Sequence, residues 1–446
     1  MDVARLNFSH GTHSDHVRRL RRLRLAARAG GKTIAVLQDL QGPKIRTGPL
    51  EGGRPVELKP GDPFTLTTQP VAGNARVVST AFRGLPREVK RGNRILLSDG
   101  LIELRVERVS GAEVECQVIS GGLLGEHQAI NLPGCPLKMS ALSAKDRRDL
   151  EFGIRHAVDY IALSFVRSAA DLHRAKRILQ DAGRAIPMVA KIEKPEAIGH
   201  LDEILRAADA VMVARGDLGV ELAPEKVPAI QKQIITRANA LRVPVITATQ
   251  MLESMTAHPR PTRAEASDVA NAVFDGTDAL MLSAETATGG FPVESVRMMA
   301  RIIQAAEAAM TASGWRRRTQ AEETLGVPEA ICESVAHMTA ELNLKAIAVF
   351  TQSGSSARLI SKHRPRVPVY AFSPFPAVLR RTTLYWGVRP VHMFRVHSTD
   401  SMVEGAASRL RSLGVVEPGD LVAVIAGTPI ARHGTTNLLK VHRIEK

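Results

Sequence analysis

At 446 residues, with 44% hydrophobic and 24% charged positions, the chain is long enough for two or three globular domains, and aromatics at 4% leave the core to Ala, Val, Leu and Ile. The net charge of +15 comes mainly from arginines spread along the chain, with no interleaved aromatics to stack bases, so a nucleic-acid partner is not expected and a positive field that steers anionic metabolites is. Scattered Cys116, Cys135 and Cys332 exclude a disulfide framework and a CxxC zinc site, and no apolar run approaches the roughly 18 residues of a membrane span, so a cytoplasmic protein without a signal peptide is expected.

From residue 1 to about 310, strand-like and helix-like segments alternate. Strands are predicted at 2–8, 33–39, 158–164, 187–193, 209–215, 244–249 and 278–282. Helices are predicted at 14–29, 144–156, 168–182, 195–207, 225–242, 262–274 and 293–311. The helix 14–29 includes RRLRRLR (Arg18–Arg24), whose leucines repeat with helical spacing and whose arginines read as a solvated face. Alternation of this kind indicates a parallel sheet with helices outside. Polar residues gather at the strand C-termini: Arg5, Asn7 and Ser9; Asp39; Ser164; Lys191 and Glu193; Asp217; Thr249; Ser283 and Glu285. One shared rim favours an α/β fold of the (β/α)8 TIM-barrel type, with one strand missing from the count. Residues 48–136 break the rhythm with short β-like runs and no helix pattern. They read as a small β domain inserted into the barrel, able to close over the rim as a lid. Segment 313–326 is polar and reads as a linker. A separate α/β domain follows, with a helix at 328–342 and strands at 345–350, 368–373, 420–426 and 438–444. The expected division is 1–47 with 137–312, 48–136, and 327–446.

Two apolar runs end in charge: PMVAKIE (Pro187–Glu193) and DAVMVARGD (Asp209–Asp217). Carboxylates at two neighbouring strand ends, with Lys191 and Arg215 beside them, suit a divalent metal and a phosphorylated anion. A structural ion-pair network would also cluster these charges. The glycines of RGDLG favour the functional reading, because they let a ligand approach the backbone at a helix start. Other motifs have plainer readings. AGGKT (Ala29–Thr33) has an alanine where a P-loop needs its first glycine, and it precedes a strand. His13 and His16 are expected to be solvated beside an N-cap-like Ser14. Thr262 reads as an N-cap with Glu265 as its capping-box partner.

Taken together, MDVARLNFSHG, DLQGPKIRTG, VAKIEKPEAI, VMVARGDLGVE, ITATQMLESM and DALMLSAETA resemble the pyruvate kinase family over essentially the whole chain. The resemblance implies phosphoryl transfer from phosphoenolpyruvate to ADP, giving pyruvate and ATP. It implies that Lys191 stabilises the phosphoryl group in flight and that Arg5 contacts it. Glu193 and Asp217 match the ligands of Mg²⁺, or of Mn²⁺ in its place. Ala214, Arg215, Gly216 and Asp217 match the segment that receives the substrate carboxylate, and Thr249 matches the residue that assists enolate protonation. Asn7, His10, Arg46 and Lys145 match the nucleotide side. Many members hold K⁺ near Asn7, Ser9 and Asp39; here Leu40 and Lys44 replace an oxygen ligand and a glutamate, so activity without K⁺ is expected, the Lys44 ammonium standing in for the cation. FTQSGSSARLISKHRP resembles the effector loop, with Thr351, Ser353, Gly354, Ser355 and Ser356 placed to cradle the phosphate of a sugar-phosphate or nucleotide; the plainer reading is a polar turn. The family implies a homotetramer. Its members begin with a strand and helix ahead of the match to Met1, about 30 residues, so a longer natural protein is the expectation. The competing readings are an Mg²⁺-dependent lyase or aldolase acting on pyruvate enolate, which needs no nucleotide, and an inactive homologue with a regulatory role.

Overall fold

The computed structural model describes residues 1–135, 139–312, 325–396, 398–428 and 436–445. A seven-stranded parallel sheet runs in chain order through β1 (Val3–Asn7), β2 (Ala35–Asp39), β3 (Tyr160–Leu163), β4 (Met188–Ile192), β5 (Ala210–Ala214), β6 (Val245–Ala248) and β7 (Ala279–Leu280). Every residue of β2, β4 and β5 is buried, which is why these strands read as unbroken apolar runs. Leu37, Tyr160, Ala162, Val189, Ala210, Met212 and Ile246 meet in one interior cluster, so the sheet curls around a shared core. Its outer face packs under the helices through Leu150, Leu172, Ile204 and Ile234. β1 and β7 are the two edges of this sheet.

The helices start where capping chemistry predicts. Ser143 with Asp146 and Thr262 with Glu265 form complete capping boxes. At the first helix, His13–Ala29, the cap is Thr12 with Asp15, not Ser14. His16 is not solvated: its ring stacks on Phe8 at 4.0 Å and it is 1% exposed. His13 pairs with Asp149 at 2.7 Å. The helix predicted over 195–207 divides into Glu196–Gly199 and Leu201–Ala207, breaking beside Gly199, a weak helix former.

The insertion leaves and rejoins the barrel side by side: Arg46 bridges Ala129, and the Thr47 N–H donates to Gln128 O. It holds a six-stranded sheet around its own core, including Phe64, Leu66, Ile95, Leu104 and Val118. It also contains the short helix Leu85–Glu88, which the residue pattern did not foretell. The polar segment 313–326 lies outside the described residues over 313–324.

The C-terminal portion is a five-stranded sheet, ordered β10-β9-β8-β11-β12, formed by β8 (Ala346–Phe350), β9 (Val369–Ser373), β10 (Val388–His392), β11 (Leu421–Ala426) and antiparallel β12 (Leu438–Arg443). β10 escaped prediction because it is an edge strand carrying Pro390 with only Val391 buried. This sheet's helices seal the N-terminal mouth of the barrel. Leu384 and Tyr385 join the barrel's interior cluster. The Tyr160 hydroxyl donates to Arg381 O at 2.7 Å, Arg380 pairs with Asp159 at 2.8 Å, and Asp278 takes Lys362 at 2.6 Å and Arg364 at 2.9 Å. The three cysteines are free and buried. Among the described residues no helix is long and apolar enough to cross a membrane.

Candidate active site

Strand periodicity builds the site at the other mouth. Side chains two apart on a strand face the same way. Leu37, Ala162 and Val189 point into the barrel core, so Asp39, Ser164 and Lys191 follow them inward at the C-terminal rim. There they meet. Lys191 Nζ donates to Ser164 Oγ at 2.8 Å and lies 2.8 Å from Glu193 Oε1 and 3.2 Å from Asp39 Oδ1. Arg5 Nε donates to Asp39 Oδ2 at 2.6 Å. Burial alone would push the Lys191 pKa down, but the carboxylates of Asp39 and Glu193 outweigh it and hold the ammonium above the ordinary lysine range. Asp39 lies below the usual carboxylate range: burial opposes this, and Lys191 and Arg5 override it.

Glu193 is the exception among these carboxylates. Burial pushes its pKa up, and the attraction of Lys191, though larger than the repulsion of Asp217, does not bring it back down. Glu193 Oε2 accepts from the Phe165 N–H at 2.7 Å, whereas the buried Oε1 has the Lys191 ion pair and no well-aligned hydrogen bond. A buried, under-satisfied carboxylate oxygen facing a second carboxylate is a site for a hard cation. Among the described residues no group of three or more His, Cys, Asp or Glu could hold a metal.

Beyond β5 the chain turns into the short helix Arg215–Glu221, which puts Gly216 and Asp217 at its first turn with Ala214 as N-cap. Thr249, just past β6, has φ 70° and Gln250 follows at φ 53°. A β-branched residue rarely adopts this conformation. Thr249 Oγ1 accepts from the Gly216 N–H at 2.8 Å and donates to Ala248 O at 2.6 Å. The two segments that the sequence assigned to substrate are therefore joined directly. The Arg215 side chain is engaged with Asp268 at 2.7 Å and with the carbonyls around Thr249.

On the β1 side, Asn7 Oδ1 accepts from the Ser9 N–H at 3.0 Å, and His10 is exposed. Lys145 donates to Phe8 O at 2.7 Å and pairs with Asp149 at 2.6 Å. Arg46 sits on the lid tether, donating to His127 O at 2.8 Å. Lys44 is not among the charge partners of Asp39; it lines the cleft between lid and barrel with Phe165, Lys194 and Asp217. Sequence reasoning missed Lys194, Glu221 and Asn131, which link lid to barrel. Glu221 Oε1 takes Lys194 Nζ at 2.5 Å and Asn131 Nδ2 at 3.1 Å. Lys194 follows Glu193 in the motif already singled out, and that adjacency was the available signal. The loop Thr351–Ser356 lies in the C-terminal portion, away from the rim. Its hydroxyls are engaged: Thr351 Oγ1 accepts from the Gly354 N–H at 2.8 Å, Ser353 meets Ser355 at 3.0 Å, and Ser356 meets Thr436 at 2.6 Å.

A curled parallel sheet with a β lid, and a buried lysine among carboxylates at its C-terminal rim, place this chain among barrel enzymes whose site suits a charged substrate. The family model described as pyruvate kinase, barrel domain, matches residues 1–296, and that for the pyruvate kinase alpha/beta domain matches residues 329–442. A pyruvate kinase of Geobacillus stearothermophilus is 45% identical over 100% of this chain and 76% of its own length. One of Clostridium acetobutylicum is 41% identical over 100% of this chain and 94% of its own. A solved pyruvate kinase from Cryptosporidium parvum superposes with a TM-score of 0.93 at 38% identity, covering 100% of this chain and 91% of that one. The chain belongs to the pyruvate kinase family, and its activity is that of a phosphotransferase.

Proposed function

We propose that the rim is the active site, and that it transfers the phosphoryl group of phosphoenolpyruvate to ADP with the roles set out below. The observation that carries this is the Lys191 ammonium, buried between Asp39 and Glu193 with Asp217 alongside. Glu193 and Asp217 would hold Mg²⁺, or Mn²⁺, which when bound neutralises charge on phosphoryl and enolate oxygens. Lys191 stays protonated and faces the phosphoryl group as it leaves the enol oxygen. Arg5, held by Asp39, presents its free guanidinium nitrogens to the same group. The catalytic share of such positioned charge is large because it needs no reorganisation during the transfer. The helix start at Ala214–Asp217 receives the substrate carboxylate through backbone N–H groups. Thr249 then delivers a proton, directly or through water, to the enolate. Asn7, His10, Arg46 and Lys145 serve ADP, and the lid over residues 48–136 excludes water when the Asn131–Glu221 contact is made.

This reading assigns the barrel to 1–47 and 137–312, and regulation by a sugar phosphate or nucleotide at Thr351–Ser356 to a domain over 327–446. The assembly proposed is a cytoplasmic homotetramer. A coupled assay is expected to find pyruvate formed from phosphoenolpyruvate only with both ADP and Mg²⁺. Pyruvate formed without ADP would sink the assignment. Turnover is also expected without K⁺, because Leu40 and Lys44 stand where an oxygen ligand and a carboxylate would be needed. A hundredfold rise on adding K⁺ to a K⁺-free assay would overturn that expectation.

A further inference from the structure

We infer that Arg215 is a positioning residue for the proton-transfer half of the reaction, not a substrate contact. The inference rests on the reading of Thr249 as the residue that assists enolate protonation. Thr249 holds an αL backbone that a β-branched residue avoids, and Gln250 repeats it. Two such residues in sequence persist only where their surroundings over-determine them.

Arg215 supplies that constraint. Its Nε lies 3.2 Å from both Ala248 O and Thr249 O, and its Nη2 lies 2.6 Å from Thr249 O and 3.3 Å from Gln250 O. Consecutive carbonyls that converge on one guanidinium can do so only if the chain turns back on itself, which is what the positive φ values accomplish. The fork is anchored at its far end, where Nη1 pairs with Asp268 at 2.7 Å and reaches Gln231 Oε1 at 3.4 Å. The same turn is held from its N–H side, where Glu285 accepts from Leu252 N–H at 3.1 Å. The Arg215 side chain is 11% exposed, although Asp268 at its far end is 35% exposed.

The consequence is specific to one step. Because the turn is fixed, Thr249 Oγ1 meets the Gly216 N–H beside Asp217. In protonation, the enolate C2–C3 electron pair forms a new C–H bond at C3, the C2 oxygen becomes a ketone, and the proton comes from solvent through a water held at Thr249 Oγ1, so the hydroxyl ends the step protonated. Phosphoryl transfer depends instead on Lys191, Arg5 and the carboxylates, none of which Arg215 touches. The Arg215 side chain therefore governs where the proton donor sits, and its bonds go to the Thr249 turn, Gln231 and Asp268.

The test is Arg215→Lys, which keeps the charge but cannot fork across the carbonyls. Two rates are measured on the same enzyme: ADP-dependent loss of phosphoenolpyruvate, and exchange of pyruvate C3 hydrogens with deuterated water in the presence of Mg²⁺ and ATP. A misplacement near 1 Å costs about a hundredfold, so the ratio of exchange to phosphoryl transfer is expected to fall between about tenfold and a hundredfold. KM for phosphoenolpyruvate is expected to stay within about twofold. A general loss of structure lowers both rates together and leaves the ratio unmoved, which overturns the inference. A KM rise of about tenfold or more with an unchanged ratio also overturns it, because it marks a substrate contact. If the lysine variant does not fold, Asp268→Asn, which frees the anchor, is read the same way. Thr249→Val in parallel separates the two claims. If it leaves exchange intact, the Thr249 reading fails and takes the inference with it; if it abolishes exchange while Arg215→Lys does not, only the inference fails.

Discussion

Replacing Lys191 by methionine is expected to lower turnover by about a thousandfold or more with the protein still folded, because removal of one pre-positioned charge from a developing phosphoryl transition state costs that much. Methionine approximates the volume of the stem and removes only the ammonium. Arg5 still reaches Asp39, and the Phe165 N–H still serves Glu193, so both carboxylates keep a partner. The buried Glu193 nonetheless loses its nearest cation while Asp217 continues to repel it, so its pKa rises further above the carboxylate range. The fall is expected in kcat more than in KM, since Lys191 acts on charge that develops during transfer. A loss of less than about tenfold in kcat would remove Lys191 from the phosphoryl path.

The largest effect on stability is expected at the opposite mouth, from Asp278→Ala. Asp278 is 1% exposed and Lys362, its partner, is 3% exposed. Asp278 also accepts from the Val245 N–H at 2.7 Å at the start of β6. Removing one partner of a buried pair costs about 3–5 kcal/mol, because the other charge is left without compensation. Burial alone would raise the pKa of Asp278, but Lys362 and Arg364 hold it below the usual carboxylate value. A carboxylate whose pKa is depressed on folding stabilises fully above its unfolded value near 4 and loses that contribution as pH falls through the folded value. Denaturant unfolding at pH 7 should show the full difference between the two proteins, and the gap should narrow below about pH 4. A difference under about 1 kcal/mol at pH 7 would mean that the seal is held by Leu384, Tyr385 and the other contacts instead.

The barrel strands were legible because burial on both faces writes an unbroken apolar run, and their order followed from alternation with helices. Lys191, Glu193 and Asp39 stood out because a charge at the end of such a run is costly to bury unless it is paired or binds a ligand. The remainder depended on contacts between distant segments. Glu221 gains its role from Lys194, 27 residues away, and Asn131, 90 residues away. Asp159 and Asp278 fall at the starts of predicted strands with nothing local to mark a partner, and Arg380 lies 221 residues from Asp159. Arg215 sits at the rim in the sequence, but a rim position does not fix where so long a side chain points. The strained backbone of Thr249 ran against its own propensity, so local rules could not have found it. Ser14 looked like a cap, but Thr12 has the better geometry, its N3 partner being Asp15.

The side-by-side tether of the lid bears on how the barrel assembles. The Gln128 N–H donates to Thr47 Oγ1 across 81 residues of chain. For a chain still searching for its fold, bringing β3 onto β2 across such an excursion carries a loop-closure penalty that grows by about 0.6 kcal/mol per doubling of length. Relative to a turn of about five residues that is roughly four doublings, or about 2.4 kcal/mol. The inserted sheet has its own apolar core, and its two ends emerge as paired backbone. Once it has condensed, only residues 40–47 and 128–159 separate β2 from β3, a stretch comparable to an ordinary crossover between parallel strands. An excursion of this length then leaves the neighbouring staves of the barrel near neighbours in the only distance that matters to folding.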